Sequence, residues 1–102
     1  MIEITIGERT FQATPLFFSE YKRAAGILAD MRRDALAADI PRVVASYEAL
    51  LEILCVAVCR AGSQVALEET SELLTPAQIM ESVGFLMQQS SIGNASAVGK
   101  PN

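Results

Sequence analysis

The sequence predicts a mainly α (α+β) domain, with an N-terminal β-hairpin packed on three to four helices and a flexible C-terminal tail. Three observations carry this. Residues 2–13 alternate apolar and polar side chains around a Gly-Glu pair, the period of half-buried strands. From Phe17 onward the apolar residues recur three and four apart, the period of a helix face. Residues 91–102, SIGNASAVGKPN, are small and polar and show no core-forming pattern. At 102 residues the chain is long enough for one domain, expected over residues 1–90, with 91–102 as its tail.

In the hairpin, Ile2, Ile4 and Ile6 alternate with Glu3 and Thr5, and Gly7-Glu8 suits a two-residue turn. That turn sets Ile6 opposite Arg9, Thr5 opposite Thr10, Ile4 opposite Phe11, Glu3 opposite Gln12 and Ile2 opposite Ala13. Apolar residues then meet apolar ones, and Thr faces Thr. A lone hairpin is marginal in water, so its Ile/Phe face must lie on the helices that follow.

Pro15 ends the second strand, and Ser19 is positioned to cap a helix running to about Ala38. Its stripe is Phe17, Tyr21, Ala24, Leu28, Met31 and Ala35; Gly26 weakens it by about 1 kcal/mol relative to Ala. Asp39 and Pro41 mark a new N-cap and first turn, and Gly62 stops that second helix after about Ala61. From Leu50 to Val58 only Glu52 interrupts an apolar surface. This helix is therefore central, or is also covered by a second subunit. Leu67–Leu74 reads as a short helix with Glu68, Glu69 and Glu72 outward. Thr75-Pro76-Ala77-Gln78 then opens a last helix, with Thr as N-cap and Gln completing a capping box. It is expected to run to about Gln89, with Ile79, Val83 and Leu86 on one face and Met80 and Met87 beside it.

Composition narrows the function. Half the residues, 51%, are hydrophobic, the mean hydropathy is +0.31, and the net charge is -4. Acidity disfavours nucleic-acid binding, and the bases from Lys22 to Arg42 are interleaved with Asp30, Asp34 and Asp39. With no His, the commonest acid/base group and metal ligand is missing. Cys55 and Cys59, four apart on a helix face, read as two buried thiols rather than half a metal site. Glu48 and Glu52 share a face without a second element to make them a catalytic pair, and Glu52 is expected to meet Arg23 or Arg33. No catalytic, cofactor or metal residues are assigned. No apolar run approaches the roughly 20 residues a membrane span needs, and no secretory signal opens the chain.

So apolar a chain of this size cannot hide its apolar surface alone, which points to a partner or a second copy. Flexible methionines near an aromatic suit adaptable apolar binding. The candidate partner-binding set is Ile79, Met80, Val83, Phe85, Leu86 and Met87. Charge is split as well: residues 1–46 carry six acids and six bases, residues 47–102 six acids and two bases.

The order of parts resembles a known family. A hairpin written ITIGERTF, a Pro15-Leu16 entry to a helix, an Ala/Leu-rich central helix and then LLTPAQIMESVGFLMQQSSI look like the tail assembly chaperones of long-tailed bacteriophages and prophages. The resemblance covers about residues 2–92 and departs at Phe17-Phe18 and at Ser63 to Thr70. It implies a small helical protein of the bacterial host cytoplasm, absent from the mature virion. It further implies binding to the tape measure protein, recruitment of tail tube protein, self-association into a homo-oligomer, and no nucleic acid, membrane, cofactor or catalysis. Many such proteins also have a longer form made by ribosomal frameshifting, and Val98-Gly99-Lys100 is compatible with a slippery heptamer, G GGA AAG. The alternatives are a small cytosolic adaptor (a secretion chaperone or antitoxin-like protein) and, at greater distance, a small enzyme subunit.

Overall fold

The computed structural model describes residues 2–6, 9–62 and 74–98. Strands β1 (Ile2–Ile6) and β2 (Arg9–Ala13) pair antiparallel, followed by helices α1 (Phe18–Leu36), α2 (Ile40–Arg60) and α3 (Pro76–Val98). The fold is thus a hairpin on three described helices. A fourth, expected over Leu67–Leu74, lies outside the described residues except for Leu74, which is not helical but packs against the core.

The hairpin has the expected register at all five pairs, from Ile6 with Arg9 to Ile2 with Ala13. Its alternation puts Ile4, Ile6, Phe11 and Ala13 on the buried face. On the other face Thr5 and Thr10 hydroxyls lie 3.3 Å apart, and Gln12 Nε2 reaches Glu3 Oε2 at 3.5 Å.

The helix starts follow capping chemistry, with one correction. α1 begins at Phe18, not after Ser19, and Phe17 takes the N-cap position. The Phe17 N–H donates to Glu20 Oε1 at 2.8 Å. That is the return half of a capping box, and the phenyl ring has no acceptor for the other half. An acid three residues on therefore fixes this start. α1 ends at Leu36, slightly short of Ala38, whose φ of 57° turns the chain. Asp39 caps α2, accepting from Arg42 N at 3.4 Å, and Gly62 follows its end at φ +80°. Thr75 and Gln78 form the full reciprocal box at the start of α3, with bonds of 3.1 and 3.0 Å.

The second correction is at the other end of α3. The helix does not stop at Gln89; it continues to Val98, so residues 91–98 are helical. The reason is tertiary. Ser90 is buried, its hydroxyl donating to Leu86 O at 2.7 Å and accepting from Leu16 N at 2.8 Å. A serine that bonds its own preceding turn is compatible with a helix interior, and the Leu16 bond pins the helix beyond the expected stop.

α2 occupies the centre, packing on α1, α3 and β2, while α3 also packs under β1. Leu50, Ile53, Leu54, Ala57 and Val58 are buried against these neighbours. The nearly all-round apolar stretch is thus largely covered within one chain, and only Val56 among its large apolar side chains faces outward.

The Thr14–Phe17 connector is held from both sides. Thr14 N donates to Ala57 O at 3.1 Å. Arg60 donates to Thr14 Oγ1 (2.8 Å), to Pro15 O (3.1 Å) and through two nitrogens to Glu20 (2.7 and 2.9 Å). Its guanidinium also lies 4.2 Å from the Phe17 ring centroid, a cation–π contact.

Two predictions follow from these contacts. Ser90→Ala leaves the Leu16 N–H buried without its acceptor, and should cost about 1–3 kcal/mol in urea unfolding, whereas the exposed Ser91→Ala should stay within about 0.5 kcal/mol of wild type. The Arg60 hydrogen bonds, helped by the Phe17 N–H, hold the Glu20 carboxyl below its ordinary pKa against the opposing effect of burial. A group with a lowered folded-state pKa contributes stability above its unfolded pKa and loses it as pH falls through the folded value. Wild-type stability should therefore fall on acidification below the ordinary Glu range, and Glu20→Gln should flatten that part of the pH–stability curve while destabilising the neutral-pH protein by about 1.5–3 kcal/mol.

Candidate partner-binding surface

The six residues expected to bind a partner divide once α3 is in place. Ile79, Val83 and Leu86 are buried in the core. Their spacing of four and three makes one stripe, and it faces α2 and the hairpin. Met87 is half-buried against the same core. Met80 and Phe85 remain exposed, at 39% and 40%. Five positions along a helix separate these two by about 140° around the axis, so they serve different surfaces.

Met80 lies on an apolar groove of about 460 Å³ between the three helices. α1 contributes Leu28, Met31, Arg32 and Ala35, which share a face at spacings of three and four. α2 contributes Val43 and Tyr47, and α3 contributes Met80 and Gly84, each pair one turn apart. The floor is firm, since Met31 is buried and Leu28 and Tyr47 pack on the core. The same end of the molecule carries the α1–α2 elbow, where Leu36, Ile40 and Val44 are 85%, 62% and 51% exposed. None of these three belongs to the set expected from the sequence. The sequence does carry a signal for them, since Ile40 and Val44 are one turn apart and off the core face, but Asp39 and Pro41 on either side of Ile40 mark it first as the start of a helix.

Gly84 sharpens the picture. A Cβ at this position would meet no described atom within 4 Å, so nothing in the chain's own packing requires glycine. It costs the helix about 1 kcal/mol relative to Ala, and what it leaves is room for another molecule to approach α3 closely.

The charged residues around the elbow are mostly paired along their own helices. Arg33 meets Asp30 at 2.9 Å, and Arg42 meets Asp39 at 3.4 Å. Glu52 pairs with Arg23 at 3.7 Å, one of its two expected partners, in an exposed pair of little energetic weight. Among the described residues Arg32 makes no ion pair, and it lines the groove.

The two thiols differ from expectation. Cys55 is buried, as expected, but Cys59 is exposed. The helix stripe that buries Ile53, Leu54, Ala57 and Val58 turns Cys59 outward. Burial, reinforced by Cys59 and Glu52 nearby, pushes the Cys55 thiol up to about 12. Among the described residues no three His, Cys, Asp or Glu side chains come together as metal ligands, and no helix is long and apolar enough to cross a membrane. At neutral pH a dithiobis(nitrobenzoate) assay should titrate one thiol per native chain promptly, and two in denaturant. Prompt reaction of both in the native protein would show that α2 does not shield Cys55.

Comparison with known proteins finds no matching family model, curated protein or solved structure, so function is argued from this surface and from the sequence resemblance.

Proposed function

We propose that the chain is a phage tail assembly chaperone, acting in the bacterial cytoplasm to bind apolar helical segments of a tape measure protein, keep them soluble and help recruit tail tube subunits. The observation that carries the reading is the open apolar groove at the elbow, continued by exposed Leu36, Ile40 and Val44. A contiguous apolar surface edged by charges is what a soluble domain keeps for a partner. Its shape suits a helix laid into a helical groove, a mode read through anchors at three- and four-residue spacing. Leu28, Met31 and Tyr47 form the floor, Met80 supplies an adaptable wall, Gly84 permits close approach, and Arg32 favours a partner helix bearing an acid. The resemblance of ITIGERTF, Pro15-Leu16 and LLTPAQI to that family supports the same reading. Self-association through the elbow belongs to it as well, because a chaperone that coats a long helix places copies side by side.

The test is co-expression with the tape measure protein encoded beside this gene, scored as soluble tape measure recovered with the tagged chain. Ile40→Asp and Val44→Asp change exposed positions, so folding stability should stay near wild type while recovery falls about tenfold, equivalent to about 1.4 kcal/mol. Gly84 separates stability from binding. Gly84→Ala should stabilise the domain by about 0.5–1 kcal/mol, and Gly84→Leu should fill the groove and reduce recovery without unfolding. No recovery by wild type, or undiminished recovery by the triple variant Ile40→Asp/Val44→Asp/Gly84→Leu, would refute the proposal.

A further inference from the structure

A second groove lies on the opposite side of α3. It has a volume of about 370 Å³ and runs along β1, with Ile4, Thr5 and Ile6 on one side and Gln78, Glu81 and Phe85 on the other. Among the described residues β1 has only β2 as a strand neighbour, and no backbone group of another element bonds to its outer edge. The register says which groups are free there. A two-residue connection makes Ile6 and Arg9 the hydrogen-bonded pair that closes the hairpin. Pairs then alternate, so Ile4 with Phe11 and Ile2 with Ala13 also exchange backbone bonds, while Glu3 and Thr5 turn their N–H and C=O groups outward. These four groups form a short template, the feature that sheets must cover, blunt or use, beside a wall of α3 that sets Phe85 among the polar Gln78, Glu81 and Ser82. It carries no proline and no lysine.

We propose that this edge is a docking site for an extended peptide segment of a partner protein, which adds as a third strand between β1 and α3. Backbone bonds to Glu3 and Thr5 supply the affinity, as in other strand additions. The alternation of a strand supplies the selectivity. Side chains facing α3 meet Phe85, the exposed apolar side chain of the groove, and should be apolar. One of that row should be Lys or Arg, because Glu81 is the only charged side chain lining the groove and, among the described residues, makes no ion pair. A second copy of β1 is a poor occupant, since IEITI carries an acid and no base. The site is separate from the elbow groove and does not depend on the tape measure reading.

The probe is an acetylated, amidated heptapeptide, Thr-Val-Thr-Ile-Thr-Lys-Thr, titrated into the full-length 15N-labelled chain. In the free protein the Glu3 and Thr5 amides should exchange rapidly with solvent and those of Ile4 and Ile6 slowly. Peptide should protect Glu3 and Thr5 and shift Ile4–Ile6, Gln78, Glu81 and Phe85, leaving Ile40 and Val44 unmoved. Replacing the peptide's Lys by Glu, or using Glu81→Lys protein with the original peptide, should weaken binding about fivefold or more. Thr5→Pro removes an outward donor and the hydroxyl contact to Thr10 but leaves the hairpin's backbone bonds in place, and should weaken it about tenfold. If that variant fails to fold, a peptide N-methylated on alternate residues makes the same test on wild-type protein. Protection of Glu3 and Thr5 before peptide is added, shifts confined to other surfaces, no shifts at millimolar peptide, or equal binding of the methylated peptide would each overturn the proposal. Loss of tape measure recovery in elbow variants with peptide binding intact would separate the two sites.

Discussion

The fold depends on how Arg60 grips the connector between hairpin and helices. A two-stranded sheet has too little of its own to stay folded in water, and here it is joined to the helical body by four residues, Thr14 to Phe17. Arg60 sits at the last turn of the central helix and spends its donors on that connector and on the acid that caps α1. The guanidinium suits this because its fixed fork can serve a hydroxyl, a carbonyl and both oxygens of a carboxylate at once. Ser90 completes the arrangement from α3 by accepting the Leu16 N–H. Hairpin, α1, α2 and α3 therefore meet at one polar junction, and their apolar faces are held in register by it.

That junction also accounts for where the molecule is open. α1 leaves it and α2 returns to it, so their elbow is at the far end. There the described interactions are apolar contacts, ion pairs within single helices and the backbone bonds of the turn itself, such as Asp39 N–H to Asp34 O at 2.9 Å, with no polar bond from α3 to the elbow. The three helices are thus fastened together by polar bonds at one end, while at the other, among the described residues, side-chain packing alone holds α3 to the elbow. A groove lined by Leu28, Met31, Val43 and Met80 is the natural outcome. α3 divides the remaining surface: its core stripe of Ile79, Val83 and Leu86 points inward, Met80 borders the elbow groove, and Phe85 borders the strand edge.

Much of this was legible in the residues because short-range chemistry decides it. The hairpin register follows from alternation plus a two-residue turn, and the starts of α2 and α3 from Asp39-Ile40-Pro41 and Thr75-Pro76-Ala77-Gln78. What was not legible depends on partners distant in sequence. Ser90 reads as the edge of a polar tail until Leu16, 74 residues away, is placed beside it. Glu20 reads as an ordinary surface acid until Arg60 arrives, and its return bond to Phe17 moves the start of α1. The candidate surface was half legible for the same reason. Periodicity finds the stripe Ile79, Val83 and Leu86, but a stripe alone does not say whether it faces the core or a partner. Cys59 and Ile40 show the converse, apolar in type and exposed in place.

The apolar surplus of the composition can now be located. It is not spread evenly. Phe17 is shared with the Arg60 guanidinium; Phe18 and Val56 stand exposed away from the elbow; Leu36, Ile40 and Val44 gather at the elbow; Met80 and Phe85 lie on two sides of one helix. Charge around the elbow is largely neutralised within single helices, Arg33 with Asp30 and Arg42 with Asp39. Pairs already satisfied in this way gain little from a partner and add little to its selection. They keep the apolar end hydrated while leaving recognition to shape and to Arg32, the one lining cation. An apolar partner helix would then be chosen by the spacing of its anchors more than by its charge. Such permissive selection is what the proposed chaperone role would require, because successive segments of one long helix need not share a sequence.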